Sequence, residues 1–182
     1  ELVPRELFLN IFVRMPDRNG VGGYKFKYGH AIYSNKNLKT SNITLANQIM
    51  PTQQKNRFVK NGFEIIPNPG RKFAKENPLH VYFEVYNLPV IDHAQTVFEV
   101  EYKIKILQRF NQGLFSKIKN IFTGSRGEIS NKVERYTTEE KSIEYLALDL
   151  SKQDAGEYEL EIVVNSQQTD ETANTKIKFI LQ

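Results

Sequence analysis

Glu84 is the residue whose surroundings most invite chemistry. It sits inside "VYFEVYN" (81–87), an acid among aromatic and branched side chains. A carboxyl in such company, if buried alone, has its pKa raised and can take part in proton transfer; water exposure or a basic partner would make it structural instead. His30, His80 and His93 lie far apart with no HxxH or HExxH spacing, so a zinc site would need convergence from separate strands. There is no GxSxG elbow. The glycines of "PDRNGVGG" (16–23) fit neither GxGxxG nor GxxxxGK and read as a turn. Asp170 and Glu171 are two adjacent acids, too few for a calcium loop. No catalytic, cofactor-binding or metal-binding residue is assigned from these patterns, and a hydrolase working through Glu84 is kept as the enzyme alternative.

The elements that would position any such site are strands. In "VFEVEYKIKIL" (97–107) Phe98, Val100, Tyr102, Ile104 and Ile106 alternate with Glu99, Glu101, Lys103 and Lys105, the pattern of a half-buried antiparallel strand. "HVYFEVYNL" (80–88) and "SIEYLALDL" (142–150) are mostly apolar and aromatic, as deeply buried strands would be. "YELEIVV" (158–164) and "KIKFIL" (176–181) read as hairpin partners. Their wet faces carry Glu157, Glu159 and Glu161 against Lys176 and Lys178, joined by a long polar loop, "NSQQTDETAN". Earlier in the chain, "LFLNIFVR" (7–14), "YKFKYGHAIYS" (24–34) and "RFVKNGFEII" (57–66) read as strands. "SNITLANQI" (41–49) fits either a strand or a short capped helix, and contains a formal glycosylation sequon at Asn42. "PNPG" (67–70) and "KENP" (75–78) punctuate strongly and place the expected domain boundary near 77.

One local motif is sharper. In "QDAGEYELEIVV" (153–164), Asp154, Gly156 and Tyr158 have the D-x-G-x-Y spacing of the tyrosine corner in immunoglobulin-like sandwiches. There the Tyr hydroxyl bonds back to the backbone and the Gly permits a tight approach. The position two residues after the Tyr, a cysteine in immunoglobulin domains, is Leu160 here, and the chain has no cysteine.

Charge is concentrated in one place. The 182 residues carry 25 Lys plus Arg against 21 Asp plus Glu. Residues 108–127 hold Arg109, Lys117, Lys119 and Arg126 and no acid, which accounts for the whole excess of four. A general nucleic-acid-binding surface is therefore not implied. Within that stretch, "GLFSKIKNIFTG" (113–124) places Leu114, Phe115, Ile118, Ile121 and Phe122 on one stripe at helical spacing. The segment reads as a short basic amphipathic helix. It could cover the sandwich, remain mobile, or meet a protein partner or, weakly, an anionic membrane surface. The candidate contact surface is Arg109, Leu114, Phe115, Lys117, Ile118, Lys119, Ile121, Phe122 and Arg126.

Several dispersed motifs resemble one bacterial family. "FVKNGFEIIPNPGRKF" (58–73), "HVYFEVYNL" (80–88) and "EYLALDLSKQDAGEYELEIVVNSQQTDETANTKIKFIL" (144–181) are similar to the β-rich region upstream of the naming motif in GWxTD-domain proteins. "SNITLANQI" looks like a further segment of that region, with Asn42 where an acid is expected. The chain has no Trp, so the GWxTD motif itself is absent. The resemblance implies an extracytoplasmic location (periplasmic, outer-envelope or secreted) and carries no activity and no functional residues.

The sequence thus predicts an all-β protein with an immunoglobulin-like β-sandwich over about 78–182 and a basic insert at 108–127. A smaller β-rich segment or half-sandwich over 1–77 precedes it. The expected role is a non-catalytic interaction or structural module with a protein partner and no cofactor. Peripheral membrane association through 113–124 is the alternative beside the enzyme.

Overall fold

In a computed structural model, residues 6–18, 20–29, 36–90, 95–110 and 128–182 are described. The chain divides into two units, Glu1–Asn35 and Lys36–Gln182. The boundary expected near 77 is corrected to 35/36, because the segment before 77 contributes strands to both sheets of the second unit.

The first unit is a hairpin of β1 (Glu6–Met15) and β2 (Gly20–Gly29), joined by a single 3-10 turn at Pro16–Arg18. The turn is shorter than the sequence suggests, since Gly20, Gly22 and Gly23 lie within β2. Leu9 faces Phe26 and Ile11 faces Tyr24, so these four share one apolar face with Val13 and Met15. Asn10, Arg14, Lys25 and Lys27 occupy the other, with Phe8 and Phe12.

The second unit contains the remaining strands: β3 (Lys39–Thr40), β4 (Thr44–Pro51), β5 (Val59–Lys60), β6 (Phe63–Pro67), β7 (Lys72–Phe73), β8 (Leu79–Tyr86), β9 (Thr96–Arg109), β10 (Glu128–Thr137), β11 (Lys141–Leu148), β12 (Gly156–Ser166) and β13 (Thr172–Leu181). One sheet runs β10-β9-β12-β13-β7; the other runs β11-β8-β4-β6-β5, with β3 also on β8. All these pairings are antiparallel except β13 with β7. This is an all-β sandwich with the layer arrangement of immunoglobulin-like domains, β8 and β11 in one sheet and β9, β12 and β13 in the other.

Period-two alternation builds the core between the sheets. Leu79, Val81, Phe83 and Val85 of β8 meet Phe98, Val100, Tyr102 and Ile104 of β9 and Tyr158, Leu160, Ile162 and Val164 of β12 in one cluster. Phe83 meets Tyr102 edge-on at 6.2 Å. The outer face of the five-stranded sheet is a lattice of alternating charge: Lys178 faces Glu159, which faces Lys105, and Lys176 faces Glu161, which faces Lys103. On that face Lys176 reaches Glu161 at 3.2 Å and Lys132 reaches Glu99 at 2.9 Å. The β12–β13 loop is tighter than its polar sequence suggests, because Asn165 pairs with Thr172.

Two further expectations are corrected, and the open reading of "SNITLANQI" is resolved in favour of the strand. "SIEYLALDL" is an edge strand, β11, paired among the described residues with β8 alone and half-exposed, since its apolar residues cover one layer. "SNITLANQI" forms the strand β4. "RFVKNGFEII" is two strands rather than one, because Asn61 (φ 50°) and Gly62 (φ 80°) both adopt the left-handed conformation of a tight hairpin turn.

Candidate functional site

β4 leaves β8 after Ala46, where a bulge between Ala46 and Gln48 shifts its register, and continues as the partner of β6. A bulge bends a strand. Beyond it Ile49 and Ile65 join Ala46 and the outward-facing Tyr82 in a second small core, with Phe63 and Ile143 at its border. Phe63 also meets Tyr145 of β11 at 4.4 Å between ring centres. The β5–β6 hairpin is thus a flap on the outer face of the β8–β11 pair.

Glu84 lies beside this flap, 1% exposed. Its carboxylate is saturated. Oε1 accepts from Tyr82 Oη at 2.9 Å and from Lys60 Nζ at 2.5 Å; Oε2 accepts from Tyr86 Oη at 2.7 Å and from Lys141 Nζ at 2.5 Å. Asn61 Nδ2 donates to Tyr82 Oη at 2.6 Å. The backbone of Glu84 is held as well: its N–H donates to Ser41 Oγ at 2.9 Å and its C=O accepts from Ser41 N at 2.8 Å. Both ammonium groups also stand over rings, Lys60 at 5.1 Å from Tyr82 and Lys141 at 5.5 Å from Tyr86.

Of the readings left open for Glu84, the electrostatics favour the basic partner over a raised carboxyl pKa. Burial pushes Glu84 upward, but Lys141, Lys60, Tyr86 and Tyr82, all donating to the charged form, outweigh it and hold the group at about 2. Burial raises the Tyr82 phenol above its usual value; Glu84 adds to this and the Asn61 amide opposes it. An ionised carboxylate with four donors on its two oxygens has no lone pair left for a substrate proton. His80, on the same strand, is not among its partners.

A second polar cluster bridges the sheets. Arg135 Nε of β10 lies 3.0 Å from Glu144 Oε2 of β11, and Ser142 Oγ donates to Glu144 Oε1 at 2.7 Å. Near them burial pushes the Tyr102 phenol up to about 12, with the Glu144 carboxylate adding and Arg135 opposing.

The residues singled out at the corner come together. Tyr158 Oη donates to the Asp154 carbonyl oxygen at 2.7 Å, and its ring stacks on Phe179 at 5.5 Å. A Cβ on Gly156 would run into the Gln108 carbonyl oxygen. Arg109 Nε, on a half-buried side chain, reaches Oδ2 of the exposed Asp154 at 3.1 Å. A cleft of about 220 Å³ opens here, lined by Ile104, Ile106, Ile129 and Tyr158 with Arg109 and Asp154 among its polar members. Of the candidate contact surface only Arg109 is described. Leu114, Phe115, Lys117, Ile118, Lys119, Ile121, Phe122 and Arg126 lie outside the described residues, as do the helix read over 113–124, His30 and His93. Glu171 binds backbone, its Oε2 accepting from Leu38 N at 3.0 Å. Among the described residues no three His, Asp or Glu side chains are grouped to hold a metal ion.

Sequence reasoning missed Lys60, Asn61 and Lys141. The available signal was the Asn-Gly pair inside "VKNGF", the strongest short-range mark of a hairpin. Comparison with models of known protein families gives no match for this chain, and comparison with curated proteins gives none either.

Proposed function

We propose that the chain is a non-catalytic interaction or structural module of a bacterial envelope or secreted protein. The observation carrying this reading is the state of Glu84. Among the described residues it is the buried carboxylate on which two lysines and two tyrosines converge, and every one of these groups is spent on another. The cluster fastens a flap to a sheet, which is the work of a scaffold. The similarity of residues 41–182 to the β-rich region of GWxTD-domain proteins supports the envelope location. The test is a panel of chromogenic esters, amides and glycosides offered to the full chain and to Glu84→Gln. No turnover by either protein is expected. Turnover by the full chain that Glu84→Gln abolishes while remaining folded would replace this reading with an enzyme.

A further inference from the structure

The five-stranded sheet ends at β10, whose outer edge has no partner among the described residues. Every second residue of this ten-residue strand turns its backbone N–H and C=O away from β9, a row that is a template for another strand. The register with β9 fixes which way its side chains face. Glu128, Ser130, Lys132, Glu134 and Tyr136 share the outer, charged face with Lys105, Lys103, Glu101 and Glu99, while Ile129, Asn131, Val133 and Arg135 lie on the core side with Ile104, Tyr102, Val100 and Phe98.

This edge complements itself. Set antiparallel to a second copy with Val133 opposite Val133, each Lys132 faces the other copy's Glu134. That is two opposite-charge pairs related by a two-fold axis. Ile129 then meets Thr137 and Asn131 meets Arg135, so most of the strand overlaps. Sliding one copy by two residues puts Lys132 against Lys132 in one direction and Glu134 against Glu134 in the other. A slide by one residue turns every charge toward the wrong face. We propose that β10 pairs with β10 of a second copy of this chain, joining two five-stranded sheets into one continuous sheet. The proposal goes beyond the module reading: a monomer would leave that reading standing, and an enzyme could still dimerise this way.

Sedimentation equilibrium of the full chain tests it. A reversible monomer–dimer equilibrium that weakens with added salt is expected. Lys132→Glu and Glu134→Lys each replace two attractions by two repulsions and should each weaken dimerisation by about tenfold or more. Lys132→Glu also removes contacts to Glu99 and Glu101 within the sheet, so its melting curve is recorded alongside. Mixing the two variants separates the explanations: the mixed pair places Glu against Lys at both positions and should restore a heterodimer of near wild-type affinity. A wild-type chain that stays monomeric at all concentrations would overturn the proposal. So would variants that dimerise as tightly as wild type, or a mixture that forms no heterodimer.

Discussion

Lys60 and Glu84 stand on strands that are not neighbours in the sheet, yet the ammonium of one is 2.5 Å from a carboxylate oxygen of the other. That contact fastens the β5–β6 flap to β8, and Lys141 completes the clasp from β11. Removing the acid leaves two cations facing one another. Their side chains are 57% and 39% exposed, so both can rehydrate, and the loss falls below that of a fully buried pair. Glu84→Ala is expected to cost about 2–3 kcal/mol of stability, and Lys60→Met about 1 kcal/mol because Lys141 still neutralises the carboxylate. Chemical denaturation of the three proteins checks both figures.

The same cluster predicts an acid response. A carboxyl whose pKa is depressed in the folded state stabilises fully above its ordinary value of 4.5, and this contribution is lost as pH falls toward about 2. Stability measured from pH 6 down to pH 2 should therefore fall more steeply for the wild type than for Glu84→Gln, the two curves converging at the acid end. Parallel curves would contradict the pairing.

Gly62, at φ 80°, makes the flap's turn possible. Gly62→Ala forces a side chain into the left-handed region and should cost about 1 kcal/mol. The damage is expected to be local. Amide hydrogen exchange should speed up across residues 52–66 while β9 and β12 keep their protection.

At the corner, Tyr158→Phe deletes the hydrogen bond to the Asp154 carbonyl without opening a cavity, for a loss of about 1 kcal/mol. Gly156→Ala is the harsher change, because the new methyl meets backbone of β9 that cannot swing aside; a loss above about 2 kcal/mol is expected. Thermal unfolding of the pair ranks them.

The strands were legible wherever a single alternation spans a full element, as in β9, β12 and β13, because one face of each is dry and the other wet. Even there Leu107 breaks the pattern: Tyr158 pairs with Ile106 and Glu157 with Gln108, so Leu107 is left over in a bulge. The D-x-G-x-Y spacing located the corner, since its bond joins residues four apart. Legibility failed where partners are remote in sequence. Nothing in "PNPG" or "KENP" tells that the chain before them pairs with β8 and β13, so punctuation there passed for a boundary. The aromatic setting of Glu84 was visible, whereas Lys60 and Lys141, which decide its charge, arrive from two other strands. The apolar wording of β11 hid that it lies at an edge, because alternation records dry faces and says nothing of how many neighbours a strand has.

β7 runs alongside β13, Phe73 pairing with Leu181 and its ring standing 6.3 Å from Phe179. Synthesis proceeds from the N-terminus, so Phe73 leaves the ribosome long before the strand that covers it. Until β13 emerges, β7 lacks the strand it pairs with and β12 lacks one of its two neighbours. Closure of this layer therefore waits for β13, and a chain lacking that strand would present an open hydrophobic seam to chaperones and proteases.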